Sequence, residues 1–289
     1  SVLPTQGSVG TKVTINSTGY ASGETVKIAF GTNASIQQAV AGQYGSWTTS
    51  WTVDVQAYGT TTITAIGVSV ATNVFNIQPQ VISVMPTAGT VGTVVTIAGT
   101  GYGASEMITI AFGTNSQIKQ AGASQYGSFT CSWTVDVQRY GTTTIRATGV
   151  SSAVNIFRIQ PQVVSVVPTA GTVGTVVTIA GTGYASDDVV IIAFGTNSQI
   201  KQADASQYGS FTCSFTVDIQ PAGTTTITAS GVSVATNVFN IQPAVVSVMP
   251  TAGTVGTVVT IAGTGYGAGD VITIAFGTNS QIKQAGASQ

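Results

Sequence analysis

The sequence predicts an all-β chain of tandem β-sandwiches. Three observations carry that expectation: a repeat of 82 residues, a composition dominated by strand and turn formers, and strict two-residue alternation in the clearest segment. The phrase Ser-Val-x-Pro-Thr-x-Gly opens at Ser1, Ser83, Ser165 and Ser247, and Gly31, Gly113, Gly195 and Gly277 each close the phrase Ala-Phe-Gly. The register never slips. A period this long exceeds one helical solenoid unit or one propeller blade and suits an independent sandwich of seven or so short strands. Expected boundaries are 1–82, 83–164 and 165–246, with 247–289 holding the first half of a fourth unit.

Composition agrees with strands. Thr, Val, Ile, Gly, Ala, Ser and Gln make up the bulk; Val, Ile and Thr fit a pleated surface and Gly marks turns. Strong helix formers such as Glu, Lys and Leu are scarce. Charged residues are 6% of the chain, against roughly 25% in an average soluble protein. The net charge of −1 creates no field that favours nucleic acid. No apolar run approaches the ~18–20 residues of a spanning helix, so no membrane-spanning segment is expected.

The second unit, with its lead-in, shows the expected strand order. Strand A covers 81–85 and stops at Pro86. Strand B covers 93–98, and Gly99-Thr100-Gly101 turns the chain. Strand C covers 106–112, with Ile108, Ile110 and Phe112 on one face. A short C′ strand covers 117–120. Strand E covers 127–137, F covers 142–148 and G covers 153–159. In strand E, Phe129, Cys131, Trp133, Val135 and Val137 point one way; Thr130, Ser132, Thr134 and Asp136 point the other. That is a half-buried strand of a sheet wet on one side. The linker Ile159-Gln160-Pro161-Gln162-Val163 is short and contains proline, which predicts a semi-rigid joint and a rod-like array.

The run from Pro86 to Tyr102, Pro-Thr-Ala-Gly-Thr-Val-Gly-Thr-Val-Val-Thr-Ile-Ala-Gly-Thr-Gly-Tyr, resembles the opening of IPT/TIG-type immunoglobulin-like domains. Tyr126-Gly127-Ser128-Phe129-Thr130 and the run from Tyr140 to Thr148 resemble tandem repeats of archaeal and bacterial surface proteins. The likeness covers the whole chain. It implies tandem immunoglobulin-like β-sandwiches in a semi-rigid rod, at the cell surface, in an S-layer-associated protein, adhesin or fibre. Some IPT/TIG domains bind DNA, but this chain has no basic stripe. Repeat three departs from the pattern, with Ala222 where Tyr58 and Tyr140 stand; a tyrosine-corner hydrogen bond made by those side chains would be missing there.

Candidate chemistry is thin. The chain has no His, which removes the commonest general base and metal ligand. Cys131 and Cys213 occupy one site in two repeats, with Thr49 in the first. Their place on the apolar face of strand E predicts buried free thiols acting as small hydrophobes. Trp51 and Trp133 align with Phe215, and Trp47 with Phe129 and Phe211, an exchange that suits core packing better than a sugar platform. Asp54, Asp136 and Asp218 recur singly, too few for a catalytic pair or for calcium. Asp187 and Asp188 adjoin only in repeat three and read as a solvated turn rather than a cation site. Lys119, Lys201 and Lys283 recur, as do Asn73, Asn155 and Asn237, and a Lys–Asn isopeptide bond would suit a load-bearing sandwich; Gln37 at the first lysine site argues against it. Two sequons, Asn16-Ser17-Thr18 and Asn33-Ala34-Ser35, are candidate N-glycosylation acceptors, with Asn33 expected in a loop after strand C.

No catalytic, cofactor-binding or metal-binding residue is assigned, and the chain is read as not an enzyme. The expected function is a structural subunit of an extracellular fibre, sheath or S-layer stalk. Its partners would be copies of itself, lateral or head-to-tail, with glycans as further candidates and no nucleic acid. The rivals are an adhesin spacer array and an accessory module of a secreted hydrolase. In 247–289 the strands B and C would expose an apolar face including Val259, Ile261, Ile272, Ile274 and Phe276. A longer array, or strands from another subunit, is expected to cover it.

Overall fold

The computed structural model describes residues 1–288, and every regular element among them is a strand. The first repeat holds β1 (Val2–Leu3), β2 (Gln6–Gly7), β3 (Lys12–Ser17), β4 (Thr25–Phe30), β5 (Asn33–Val40), β6 (Trp47–Thr52), β7 (Gly59–Ile66) and β8 (Val70–Ile77). They form a three-stranded sheet, β1-β3-β6, and a five-stranded sheet, β2-β8-β7-β4-β5. Repeats two and three reproduce both sheets in the same order. The first strand is split: β1 pairs antiparallel with β3, the chain crosses at Pro4, and β2 pairs parallel with β8.

The alternation explains the core. In β4, Val26, Ile28 and Phe30 are buried and Thr25 and Lys27 are exposed. Phe30 lies at the centre, with its ring 5.7 Å from Trp51 of the facing sheet and 6.0 Å from Phe75 of its own. Phe194 in repeat three meets Phe215 at 5.4 Å and Phe239 at 6.0 Å, so phenylalanine fills the tryptophan place and keeps the tilted ring contact. The expected core role of the tryptophans therefore holds: Trp47, Trp51 and Trp133 are all buried.

Several details differ from expectation. The C′ strand runs over Asn115–Gly122, longer than 117–120, because it pairs with Met107–Phe112 across a tight hairpin. Strand E is Phe129–Thr134, shorter than 127–137; Val135 stays buried beyond its end, but Val137 is 41% exposed. By contacts the chain divides into two compact units, Ser1–Val135 with Thr142–Arg158, and Asp136–Gly141 with Ile159–Gln289. The expected fourth repeat, 247–289, reaches one residue beyond the described chain. Its strands pair as Ala244–Met249 with Thr260–Thr264 and Val271–Phe276 with Asn279–Gly286, leaving Val259, Ile261 and Phe276 exposed.

Candidate functional site: the joint between repeats

The joint between the first two repeats is built from one turn, and that turn is fixed from within. The Ser124 N–H donates to the Ser128 carbonyl at 2.7 Å, the Gly127 N–H to the Ser124 carbonyl at 2.9 Å, and the two serine hydroxyls meet at 2.8 Å. Gly127 takes a φ of +70°, open to glycine and strained for other residues. An ideal Cβ there would overlap the Tyr102 carbonyl oxygen and lie 3.0 Å from Ala57 Cα in the first repeat. A bare backbone is therefore what lets the second repeat seat against the first. The Tyr58 N–H of repeat one then donates to the Tyr102 carbonyl of repeat two at 2.8 Å. In the other unit the Tyr140 N–H donates to the Tyr184 carbonyl at 2.8 Å, with Gly209 placed against Arg139 as Gly127 is against Ala57.

Tyr58 and Tyr140 therefore serve the joint through their backbone. Both contribute a backbone N–H to the joint, a group that Ala222 also has. The deeply buried tyrosines are Tyr102 and Tyr184, whose hydroxyls donate to the Ala147 and Ala229 carbonyls at 3.4 and 3.3 Å. Burial pushes the Tyr102 phenol up to about 12, with help from the negative charge of Glu106. Burial raises Tyr184 as well, with Asp188 as the second cause.

Those two carboxylates belong to a series that the sequence reading passed over: Glu24, Glu106, Asp188 and Asp270 recur every 82 residues. Each of the first three accepts a backbone N–H from the F–G turn of its repeat. Glu24 accepts from Val68, Glu106 from Val150, and Asp188 from Val232 at 2.8 Å. Glu106 also accepts from the Gly103 N–H at 2.7 Å, so one side chain ties two loops together. The constant spacing was a visible signal, but the Glu-to-Asp change and the purely backbone partners hid it.

The other recurring carboxylates hold the C–C′ hairpin. Gln56, 5% exposed, donates through Nε2 to Asp54 Oδ1 at 3.1 Å and accepts from Thr32 Oγ1 at 3.3 Å. Asn33 donates through Nδ2 to Asp54 Oδ2 at 3.2 Å and accepts from the Ser35 N–H at 3.2 Å. Repeat three repeats this arrangement with Gln220, Asp218, Thr196 and Asn197. Asn33 is thus the first residue of β5, paired with Phe30 across a two-residue turn, and not part of an open loop. The other sequon lies on a strand as well: Asn16 of β3 pairs with Thr48 and accepts from its hydroxyl at 2.8 Å.

Cys131 and Cys213, expected to be buried, are half-buried. Each lies on an edge strand of its three-stranded sheet, which leaves one flank open. Burial pushes both thiols up, and Lys119 and Lys201 respectively oppose that shift. The Lys–Asn isopeptide reading fails on topology. Asn155 is on Ser152–Ile159 and Lys119 on Asn115–Gly122, with two strands between them in the sheet. That is about 14 Å of strand spacing, and Asn155 Nδ2 already donates to the Val81 carbonyl at 3.2 Å. Asp187 accepts from the Ser186 hydroxyl at 2.8 Å and Asp188 serves the F–G turn. Among the described residues no group of three His, Cys, Asp or Glu is placed to hold a metal ion.

A shallow, open depression of about 450 Å³ lies beside the first joint, lined by Thr32, Asn33, Ala34, Asp54, Val55 and Tyr126.

No protein-family model matches the chain, and no curated protein matches it in sequence. Solved structures match it at low identity and low TM-score. Invasin, a bacterial integrin-binding protein, is 13% identical over 88% of this chain and 62% of its own, with a TM-score of 0.27. The ICAM-5 D1–D4 ectodomain fragment is 13% identical over 100% of this chain and 90% of its own, at 0.24. SGBP-B, from a xyloglucan utilization locus in Bacteroides uniformis, is 18% identical over 61% and 58%, at 0.24. The chain thus spans about three-fifths of the length of invasin and SGBP-B. At these scores the likenesses assign no function. No helix among the described residues is long and apolar enough to cross a membrane.

Proposed function

We propose that the chain is a load-bearing array of IPT/TIG-type repeats at a cell surface, a structural subunit of a fibre, sheath or S-layer stalk rather than an enzyme. The observation that carries this reading is the joint. A tethered string of independent sandwiches needs no contact between them, yet Tyr58 donates to Tyr102 across repeats and Gly127 leaves room for the close approach. Such a joint transmits force and orientation from one repeat to the next. The low charge supports assembly with copies of the same chain. Neutral Thr- and Gln-rich faces can meet without stranding unpaired ions, and eight Lys and Arg in all leave most sheet edges without the charges that blunt association.

Electron microscopy of the native material tests the reading. Regular filaments or lattices built from the chain are expected. Isolated particles that remain monomeric at high concentration after removal of glycans would refute self-assembly and favour an adhesin spacer or an accessory module of a secreted hydrolase.

A further inference from the structure

We propose that the depression beside the first joint is a single-ring subsite for neutral carbohydrate. Five of its six lining residues come from repeat one, and the sixth, Tyr126, comes from repeat two. Tyr126 is 44% exposed, whereas its counterpart Tyr44 is 86% exposed; the second tyrosine is partly packed and partly presented. Its position is set by the Ser124–Ser128 turn, where its N–H donates to Ser124 Oγ at 3.2 Å, and by Gly127 seated on Ala57. A half-exposed aromatic ring on a fixed backbone is a stacking platform that loses little freedom on binding.

The polar side is equally fixed. Asp54 holds Asn33 on one oxygen and Gln56 on the other, so its carboxylate is oriented before any ligand arrives. A carboxylate has about four acceptor sites, and these two donors leave room for hydroxyl donors. An aromatic ring and a pinned carboxylate lining one depression, together with Val55, suit a pyranose ring: C–H groups for the aromatic face, hydroxyls for the carboxylate. The site is open, which suits one ring of a longer glycan. It is neutral in demand, because Asp54 would repel an acidic sugar. The inward-facing tryptophans play no part in it. The sequence carries the same residue types one period on, at Thr114, Asn115, Asp136, Val137 and Tyr208.

The ring has two sources that share this chemistry: a free polysaccharide, or the first sugar of a glycan carried by the Asn33 sequon. Two arms separate them. In the first, the full chain made in a host without N-glycosylation is titrated by calorimetry with cellohexaose, mannohexaose and chitohexaose. In the second, the chain glycosylated at Asn33 is trimmed to its first sugar, and the Tyr126 ring protons are followed by NMR. Binding of at least one hexasaccharide supports a free glycan, and a ring-current contact between Tyr126 and the sugar supports the attached one. Y126A is expected to weaken hexasaccharide binding about tenfold, the scale of one lost stacking contact. Y126F should retain most of it and melt like the parent chain, while D54N should weaken it and also lower the melting temperature of repeat one, because Asp54 holds Asn33 and Gln56. The proposal is overturned if neither arm shows an interaction, or if Y126A and D54N bind as the parent does.

Discussion

Replacing Gly127 by alanine is expected to open the first joint, and the matched replacement of Gly45 is not. Both glycines lie in the left-handed region, at φ of +70° and +67°, and at both an added Cβ would overlap a tyrosine carbonyl, Tyr102 or Tyr20. Each substitution therefore strains the backbone by roughly 1–2 kcal/mol. Each also disturbs the bond from the tyrosine N–H to the glycine carbonyl, 3.0 Å for Tyr102 and 3.1 Å for Tyr20, worth about 1 kcal/mol. Only Gly127 also lies 3.0 Å, by its ideal Cβ, from Ala57 across the joint, and only the Tyr102 carbonyl accepts the Tyr58 N–H. Displacing that carbonyl adds the loss of one inter-repeat hydrogen bond, again about 1 kcal/mol. The assay is amide hydrogen exchange read at Tyr58 in the full chain. G127A should speed exchange there by about fivefold, and G45A should leave it unchanged while loosening its own repeat. Equal protection of Tyr58 in G127A and the parent, or equal loss in G45A, would refute the assignment of Tyr58 and Gly127 to the joint.

Three further outcomes follow from the packing. Glu106→Ala removes two charge-assisted bonds, to Gly103 and Val150, and should cost about 2–3 kcal/mol in chemical denaturation, with the F–G turn of repeat two losing exchange protection first. Raising the pH should destabilise the fold from about 10 upward: the Tyr102 phenol ionises at its ordinary pKa when unfolded but only near 12 when folded. That contribution, on the order of 2 kcal/mol, is complete below 10 and lost as the pH climbs through 12, which absorbance titration at rising pH can follow. Trp51→Phe should change stability by less than about 1.5 kcal/mol, since Trp51 Nε1 has no acceptor among the described residues and Phe215 fills the same place in repeat three; Trp51→Ala should cost about 3–5 kcal/mol by calorimetry.

The strand pattern was legible because it depends on side-chain alternation, which the sequence displays directly. Phe129, Trp133 and Val135 turn inward as the two-residue period requires. Val137 breaks from that series because strand pairing ends at Thr134, and a period outlasts its strand when the next apolar residues happen to keep step. Asn33 reads as loop for a related reason: Gly31-Thr32-Asn33 is a polar turn cluster, yet the turn takes only its first two residues and Asn33 already pairs with Phe30. The joint was less legible. Its short linker was visible, but its contacts run through backbone groups of Tyr58, Tyr102 and Gly127, and backbone groups carry no sequence signature beyond the glycine itself. Tyr126 stood in a quoted motif, yet its exposure depends on how far repeat one covers it, which only the fold determines.

The split first strand has a mechanical meaning. The chain enters each complete repeat beside the strand by which it leaves, and in repeat one the two run parallel as β2 and β8. Bonds from the Asn76 N–H to the Thr5 carbonyl and from the Gln78 N–H to the Gly7 carbonyl, each 2.9 Å, cross that seam. Tension on the two ends of the repeat would pull these strands in opposite directions along a shared axis. The bonds would then be sheared together instead of unzipped singly, so the seam resists until all of them fail at once. Repeat three carries the same pair, from Asn240 to Thr169 at 3.0 Å and from Gln242 to Gly171 at 2.8 Å. A string of such repeats would yield in discrete steps, one sandwich at a time, while the others stay closed.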